Sequence, residues 1–153
     1  MSLAPFVASP MNVVHAMLEL ADLKKDEVLF DLGCGDGRIL IEAAQQFDAN
    51  AVGVELDAGR YRECLRKIKE SHLEDRVTVI HGNLLEVNLK QADVVTLYLL
   101  TSANDKLRPN LERELKNGAR VVSHDFPIST WKAKKVEKIQ ENWGSHTLYL
   151  YTL

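Results

Sequence analysis

The sequence has few cysteines, no surplus of positive charge and no long apolar run. Its two cysteines, Cys34 and Cys64, are far apart in the chain and form no CxxC pair, which argues against a disulfide scaffold or a zinc site and favours a reducing compartment. The net charge of −3 gives no reason to expect a nucleic-acid or membrane surface. No apolar run approaches the roughly 18 residues that a membrane span requires, and the start lacks the regions of a signal peptide. We therefore expect a cytoplasmic protein.

Apolar segments typical of buried strands alternate with amphipathic segments along the chain. The strand candidates are EVLFDLG, NAVGVELD, RVTVIHGN, ADVVTLYLL and ARVVSHDF, followed by KKVEKIQ and HTLYLYTL. Only a short turn joins the last two, so they are predicted to form an antiparallel pair. This alternation predicts an α/β fold with a mostly parallel sheet covered on both faces. The length of 153 residues fits one domain, residues 1–153.

Three helical segments carry specific expectations. A first helix is expected to begin with Ser9 as its N-cap and Pro10 in its first position. In AGRYRECLRKIKES, residues such as Leu65 and Ile68 are expected to face inward. In DKLRPNLERELKNG, Pro109 is expected to start or to kink a helix.

The first strand runs into the loop DLGCGDG, which contains Gly33, Gly35 and Gly37. A P-loop is excluded because no Lys and Ser/Thr follow at the required spacing, and a GxGxxG dinucleotide motif would need its third glycine one residue later. The carboxylates of Asp31 and Asp36 would also repel a pyrophosphate. They suit a ligand with positive groups, such as S-adenosylmethionine, whose carboxylate could bind at the start of the following helix. The alternative is a tight turn that binds no ligand.

Polar residues at the ends of the next two strands complete a nucleoside site. Glu55 ends the second strand, where an acid accepts hydrogen bonds from a ribose diol. Asn83 follows the third strand, where its amide oxygen can accept from an adenine amino group. The alternatives are a surface glutamate and a turn-forming Gly-Asn pair. The full set predicted to bind the cofactor is Phe6, Ser9, Asp31, Gly33, Cys34, Gly35, Gly37, Glu55, Leu56, Asn83 and Leu84.

The order DLGCGDG, GVELD and GN resembles the motifs of class I S-adenosylmethionine-dependent methyltransferases, over about residues 27–125. The segments PFVASP, YLLT and ARVVSHDF, with Trp131 beyond them, resemble the small archaeal broad-specificity protein lysine methyltransferases and their eukaryotic mitochondrial relatives. Ala8 stands where that family tends to have a proline. The resemblance implies a Rossmann-like seven-stranded sheet of order 3-2-1-4-5-7-6 with the last strand antiparallel. It also implies S-adenosylmethionine as cofactor and protein substrates that present lysine.

Three residues near the ends of the fourth and fifth strands are the candidate catalytic set, Tyr98, Thr96 and His124. The ring of Tyr98 could form one wall of a lysine channel by a cation–π contact, and Thr96 shares its strand face. His124 could shape the acceptor site or receive a proton. All three could instead serve packing or backbone hydrogen bonding. A general base is not required, because desolvation in a narrow pocket lowers the pKa of a lysine.

The other histidines carry no functional expectation. His15, His72 and His146 have no partners nearby in the sequence. We expect them to be surface or helix residues.

Two other functions stay open at this point. One is a methyltransferase that acts on a small molecule or RNA, and the other is a non-catalytic S-adenosylmethionine-binding module. A basic run on the second amphipathic helix could hold RNA, although such a run is more often a solvated face; it contains Arg60, Arg62, Arg66, Lys67 and Lys69. No metal site is predicted, no membrane contact is expected, and a monomer is the default.

Overall fold

The computed structural model describes residues 8–153, which form one seven-stranded sheet with the order β3-β2-β1-β4-β5-β7-β6. The strands are β1 Val28–Leu32, β2 Asn50–Glu55, β3 Val77–His81, β4 Val94–Leu97, β5 Arg120–His124, β6 Lys135–Glu141 and β7 Gly144–Thr152. β1 to β5 are parallel to one another, whereas β7 pairs antiparallel with both β5 and β6. The predicted strand order is confirmed.

Four helices cover the two faces of the sheet. They are α1 Met11–Leu20, α2 Arg38–Phe47, α3 Ala58–Glu70 and α4 Thr101–Glu114, and a short 3₁₀ helix spans Leu84–Glu86. One core cluster joins α1, α2 and α3 to the sheet, and a second joins α4 and the 3₁₀ segment to the opposite face. Because side chains alternate along a strand, neighbours such as Leu29 and Phe30 enter different clusters. No helix in residues 8–153 is long and apolar enough to cross a membrane.

Two helices begin at other residues than predicted. α1 begins at Met11 with Pro10 as its N-cap, and no side chain caps it, because the Ser9 hydroxyl bonds elsewhere. α4 begins at Thr101 and continues through Pro109. A proline inside a helix removes one backbone hydrogen bond. The buried residues Ala103, Leu107 and Leu111 recur at helical spacing on both sides of it and hold the helix against the core.

The inward face of α3 also differs from expectation. Cys64 and Ile68 are buried, whereas Leu65 is 41% exposed. Cys64 takes the inner position because it packs under the glycine loop: a Cβ built on Gly37 would lie 2.6 Å from its Sγ. Cys34 and Cys64, far apart in sequence, are neighbours behind the loop, and both are free thiols. The hydrogen bond with Cys64, followed by burial, raises the pKa of the Cys34 thiol.

Close packing behind the loop depends on Gly53 in the middle of β2. A Cβ built there would lie 2.5 Å from Leu40 Cδ1 and 2.7 Å from Cys34 Sγ. Separations this short force side chains out of place. Gly53 therefore sets how closely α2 and the glycine loop approach the sheet.

We predict that Gly53→Ala lowers the free energy of unfolding by about 1–3 kcal/mol, the usual cost of overpacking a core. Gly82→Ala is the control, because a Cβ there would meet only Ile80 Cγ2 at 3.8 Å, and we expect a change within about 0.5 kcal/mol. Urea unfolding of both variants measures the difference. Equal stability would mean that Gly53 does not limit the packing.

Candidate active site

The sequence-predicted site residues meet at one edge of the sheet. β1, β2, β4 and β5 are parallel, so their carboxyl ends lie together. The glycine loop follows β1, Glu55 ends β2, Tyr98 follows β4 and His124 ends β5. Ligands of such sheets bind at this edge. Phe6 lies outside the described residues.

The glycine loop adopts a backbone that only glycine takes up readily. Gly33, Gly35 and Gly37 have φ values of 86°, 56° and 85°. The amides of Gly33 and Cys34 both donate to the Val54 carbonyl, at 2.8 and 3.0 Å, which ties the loop to β2. α2 begins immediately after Gly37. The loop therefore places backbone and the start of a helix at the sheet edge, where a ligand can approach closely.

Asp31 is a buried carboxylate without a balancing cation. It is 4% exposed, and its Oδ1 accepts a hydrogen bond of 2.9 Å from the Thr96 hydroxyl, directly across the β1–β4 pair. Within residues 8–153, no Lys, Arg or His forms a salt bridge with it. Burial raises the pKa of Asp31 to about 7, with further contributions from the charges of Glu55 and Asp36, while the Thr96 bond acts in the opposite direction. Residues 8–153 therefore supply no counter-charge for this carboxylate.

Asp36, the second carboxylate of the loop, has cationic partners within the protein, unlike Asp31. Asp36 accepts from Arg38 Nη2 at 2.7 Å and from Arg38 Nε at 3.1 Å, and Lys67 Nζ lies 3.5 Å away. Burial raises the pKa of Asp36, but the bonds from Arg38 and its charge outweigh that effect and leave the pKa lowered. The expectation that both aspartates face a cationic ligand therefore needs correction, because the charge of Asp36 is already balanced within the protein.

Glu55 is buried and holds the loop. Its Oε1 accepts from the Gly35 amide at 2.8 Å, and its Oε2 accepts from the Asp57 amide at 2.9 Å. Arg60 Nε lies 3.5 Å from Oε2. A carboxylate oxygen can accept more than one hydrogen bond, so both oxygens keep acceptor capacity for a hydroxyl pair.

The remaining predicted cofactor residues differ in how they are placed. Asn83 caps the 3₁₀ helix, with its Oδ1 accepting from the Leu85 amide at 2.9 Å. Leu84 is buried beside it, and Leu56 is 37% exposed at the end of β2. The Cys34 side chain packs inward toward Gly53, so only its backbone belongs to the loop surface. These positions leave an exposed leucine and a polar amide on the rim near Glu55.

Ser9 connects the start of α1 to two parts of the site. Its hydroxyl lies 2.8 Å from His124 Nδ1, and its carbonyl accepts from Arg38 Nη1 at 3.0 Å. Ser9 is buried. Ser9 therefore lies at the sheet edge between the glycine loop and β5.

Tyr98 and His124 form a stacked pair beside Ser9. Their ring centroids are 3.8 Å apart with planes tilted by 27°. His124 is fully buried, and Tyr98 is half-buried. Burial lowers the pKa of His124 to about 4 and raises that of the Tyr98 hydroxyl. Thr96 is fully buried and its hydroxyl donates to Asp31, so it holds that carboxylate in place.

The sequence analysis missed a chain of hydrogen bonds that leads from His124 to the surface. His124 Nε2 lies 2.8 Å from His146 Nδ1, and His146 Nε2 lies 3.1 Å from Glu141 Oε2. The expectation that His146 is a surface or helix residue without partners is wrong, because it lies on β7. The β5–β7 register, with His124 opposite Leu148, brings the two histidines together. Sequence spacing offers no direct signal for that register.

The comparisons with known proteins identify the family. A family model described as the ANTKMT methyltransferase domain matches residues 31–135, which include the glycine loop, Glu55, Asn83, Tyr98 and His124. The chain belongs to this methyltransferase family. The match covers every predicted site residue except Phe6 and Ser9.

Individual relatives agree with the family match. A protein-lysine N-methyltransferase of Saccharolobus islandicus is 47% identical over 97% of this chain and 93% of its own length. A mouse adenine nucleotide translocase lysine N-methyltransferase is 31% identical over 84% of this chain. This chain spans only 56% of the length of the mouse protein.

A solved structure indicates the cofactor. A Salinibacter ruber protein described as an RNA methyltransferase, in complex with S-adenosyl-L-homocysteine, superposes with a TM-score of 0.89 at 42% identity. The superposition covers 95% of this chain and 93% of that one. S-adenosylmethionine is the cofactor of this methyltransferase. The residues of this chain fit S-adenosylmethionine. No cation in residues 8–153 balances the buried Asp31, and the loop glycines leave the backbone open to close approach.

We predict that Asp31→Asn stabilises the cofactor-free protein at neutral and higher pH. The folded pKa of about 7 lies above the unfolded value of 3.8, so the folded state holds the proton more tightly and loses stability as pH rises from about 4 to 7. An asparagine does not ionise, so this pH-dependent loss of stability disappears, and its side-chain oxygen can still accept a hydrogen bond from the Thr96 hydroxyl. A gain of about 1 kcal/mol would raise the melting temperature by about 2–4 °C.

Thermal melts of both proteins without cofactor between pH 4 and pH 9 test this. The difference between variant and wild type should grow up to about pH 7 and then stay constant. A pH-independent difference, or a less stable variant at pH 8, would show that Asp31 does not carry a buried charge in the free enzyme.

Proposed function

We propose that the protein transfers methyl groups to lysine side chains of proteins. The observation that carries this proposal is the 47% identity to an archaeal protein-lysine N-methyltransferase over almost the full length of both chains. S-adenosylmethionine supplies a methyl group that is already activated, because breaking its carbon–sulfur bond returns an electron pair to a positively charged sulfur. The chain's own residues then need to bind, orient and desolvate the reactants.

The cofactor's parts match groups along the sheet edge. We assign its ammonium group to Asp31, since a cation there neutralises the buried carboxylate. The backbone of Gly33, Gly35 and Gly37 lies against the methionine portion, and its carboxylate meets the start of α2. Glu55 accepts from the ribose hydroxyls with its remaining lone pairs. Asn83, Leu56 and Leu84 surround the adenine, and Ser9 closes over the site.

The lysine enters beside Tyr98. Positive charge develops on the amine nitrogen as the nitrogen–carbon bond forms, and a ring face stabilises it by about 1–2 kcal/mol. His124 holds that ring by stacking at 3.8 Å. Both ring nitrogens of His124 already have hydrogen-bond partners, so His124 acts as a positioning residue. We assign no general base, and the proton lost by the lysine ammonium passes to solvent before transfer.

RNA is the second candidate acceptor, because the Salinibacter protein is described as an RNA methyltransferase. The charge distribution of this chain argues against it. On α3, Arg66 pairs with Glu70 and Lys67 lies near both Glu63 and Asp36. Acids on and beside the helix thus balance much of its basic run. A phosphate backbone needs unbalanced positive charge.

We further propose that residues 1–153 act as one methyltransferase domain, as a monomer and in the cytoplasm. The free thiols of Cys34 and Cys64 support a reducing compartment.

Labelling of separated acceptor pools tests the proposed function. One lysate is divided into a protein pool treated with ribonuclease and an RNA pool treated with protease, and each receives enzyme and methyl-labelled S-adenosylmethionine. We expect label in the protein pool, recovered as methyl-lysine by mass spectrometry. The rate should climb from pH 7 to beyond pH 8, because only about one lysine in 2,500 is neutral at pH 7.

The Asp31→Asn enzyme is the matched control. It should transfer no labelled methyl groups to either pool, since it lacks the charge that binds the cofactor. Label confined to RNA would replace the lysine proposal with the RNA one. No label in either pool, with cofactor still bound, would replace the lysine proposal with a small-molecule acceptor or a non-catalytic module.

We predict that Tyr98→Ala lowers kcat for lysine methylation by roughly 5- to 30-fold, the equivalent of a cation–π contact of about 1–2 kcal/mol. Tyr98→Phe keeps the ring and should retain most of the activity. Cofactor affinity, measured by calorimetry, should change little in either variant. Equal losses of kcat and cofactor affinity in Tyr98→Ala would indicate a packing role.

A further inference from the structure

Three potential metal ligands converge beside the proposed acceptor site. His124 ends β5, Asp125 follows it, and His146 lies on the neighbouring β7. His124 Nε2 and His146 Nδ1 are 2.8 Å apart, and Asp125 Oδ2 lies 3.4 Å from the first and 3.5 Å from the second. Two imidazole nitrogens and one carboxylate oxygen are a donor set that suits Zn²⁺.

The spacing of the three atoms fits an ion. Atoms separated by 2.8, 3.4 and 3.5 Å share a centre about 1.9 Å from each, and zinc bonds to nitrogen and oxygen are about 2.0–2.2 Å long. An ion displaced slightly from the plane of the three atoms would therefore reach all of them. Such an ion would have one side open for a water molecule as fourth ligand.

Each ligand is also oriented by a second hydrogen bond, as metal ligands in proteins usually are. His146 Nε2 donates to Glu141 Oε2 at 3.1 Å. His124 Nδ1 lies 2.8 Å from the Ser9 hydroxyl oxygen, which can accept a hydrogen bond from the Nδ1–H group. Asp125 Oδ1 accepts from the Thr147 amide at 2.9 Å, which leaves Oδ2 directed at the histidines.

The backbone holds the cluster in place. The Asp125 amide donates to the Thr147 carbonyl at 2.7 Å, while its side chain accepts from the Thr147 amide, so the two residues are joined twice. Asp125 has a φ of 64°, which few residues other than glycine adopt. In the part of the chain that the structure describes, Asp125 makes no salt bridge to Lys or Arg. Its side chain and that of His146 are 29% and 21% exposed, which gives an ion a path from solvent.

We propose that His124, Asp125 and His146 bind one Zn²⁺ ion. The two histidines then carry their protons on the nitrogens that face Ser9 and Glu141, and present the other nitrogen to the metal. The ion joins the end of β5 to β7, beneath the Tyr98 ring that stacks on His124. Its role is structural: it fixes the wall of the acceptor site.

Metal titration of the whole protein tests the proposal. Protein stripped with a chelator is titrated with ZnCl₂ by calorimetry, and with Co²⁺ while its visible absorption spectrum is followed. We expect one ion per chain, a cobalt spectrum typical of tetrahedral coordination, and a higher melting temperature with zinc. His146→Gln and Asp125→Asn should each weaken zinc binding at least 10-fold.

His15→Gln is the matched control. His15 is an exposed histidine between the carboxylates of Glu19 and Glu42, so it tests whether any His–Glu cluster on this surface binds the ion. This variant should bind zinc as the wild type does. Melts without metal confirm that the variants fold. Absence of zinc binding by the wild type, or binding that survives both His146→Gln and Asp125→Asn, would overturn the proposal.

Discussion

The architecture of this methyltransferase site depends on one buried carboxylate. Asp31 lies near the end of β1, and Thr96 on the adjacent β4 holds it from the side. Burying a charge without a partner is costly, so the free enzyme retains a proton on Asp31 up to about pH 7. A cationic ligand removes that cost. In the proposed binding mode, affinity for the cofactor and reduced stability of the empty protein have the same physical origin.

Other polar residues at this edge of the sheet hold the loops around Asp31 in place. Glu55 binds the loop amide of Gly35, and Arg38 balances the charge of Asp36 while also holding the Ser9 carbonyl. Glu55 and Asp36 thus have charged or backbone partners within the protein, whereas among residues 8–153 the Asp31 side chain accepts only from the Thr96 hydroxyl. The acceptor side is built differently, since Tyr98 rests on a buried histidine whose own partners continue toward the surface.

The strand order and the glycine loop could be predicted because each depends on a local rule or on resemblance to a family. Positive φ values favour glycine, and alternating strands and helices favour a parallel sheet. What could not be predicted depends on contacts between distant segments. The pairing of His124 with His146 needs the β5–β7 register, and the burial of Cys64 instead of Leu65 needs the space left by Gly37. The pairing of Asp36 with Arg38 depends on rotamers that spacing does not reveal.

The most direct test of this account counts the protons exchanged when cofactor binds. S-adenosylmethionine binding is measured by calorimetry at pH 6 in buffers with different ionisation enthalpies, so that proton release appears as a buffer-dependent heat. At that pH Asp31 is mostly protonated in the free enzyme, and a bound cation lowers its pKa. The account predicts release of close to one proton by the wild type, and strongly weakened binding by Asp31→Asn, which lacks the charge that binds the cofactor. Cofactor binding by the wild type without proton release, or unchanged affinity in Asp31→Asn, would contradict it.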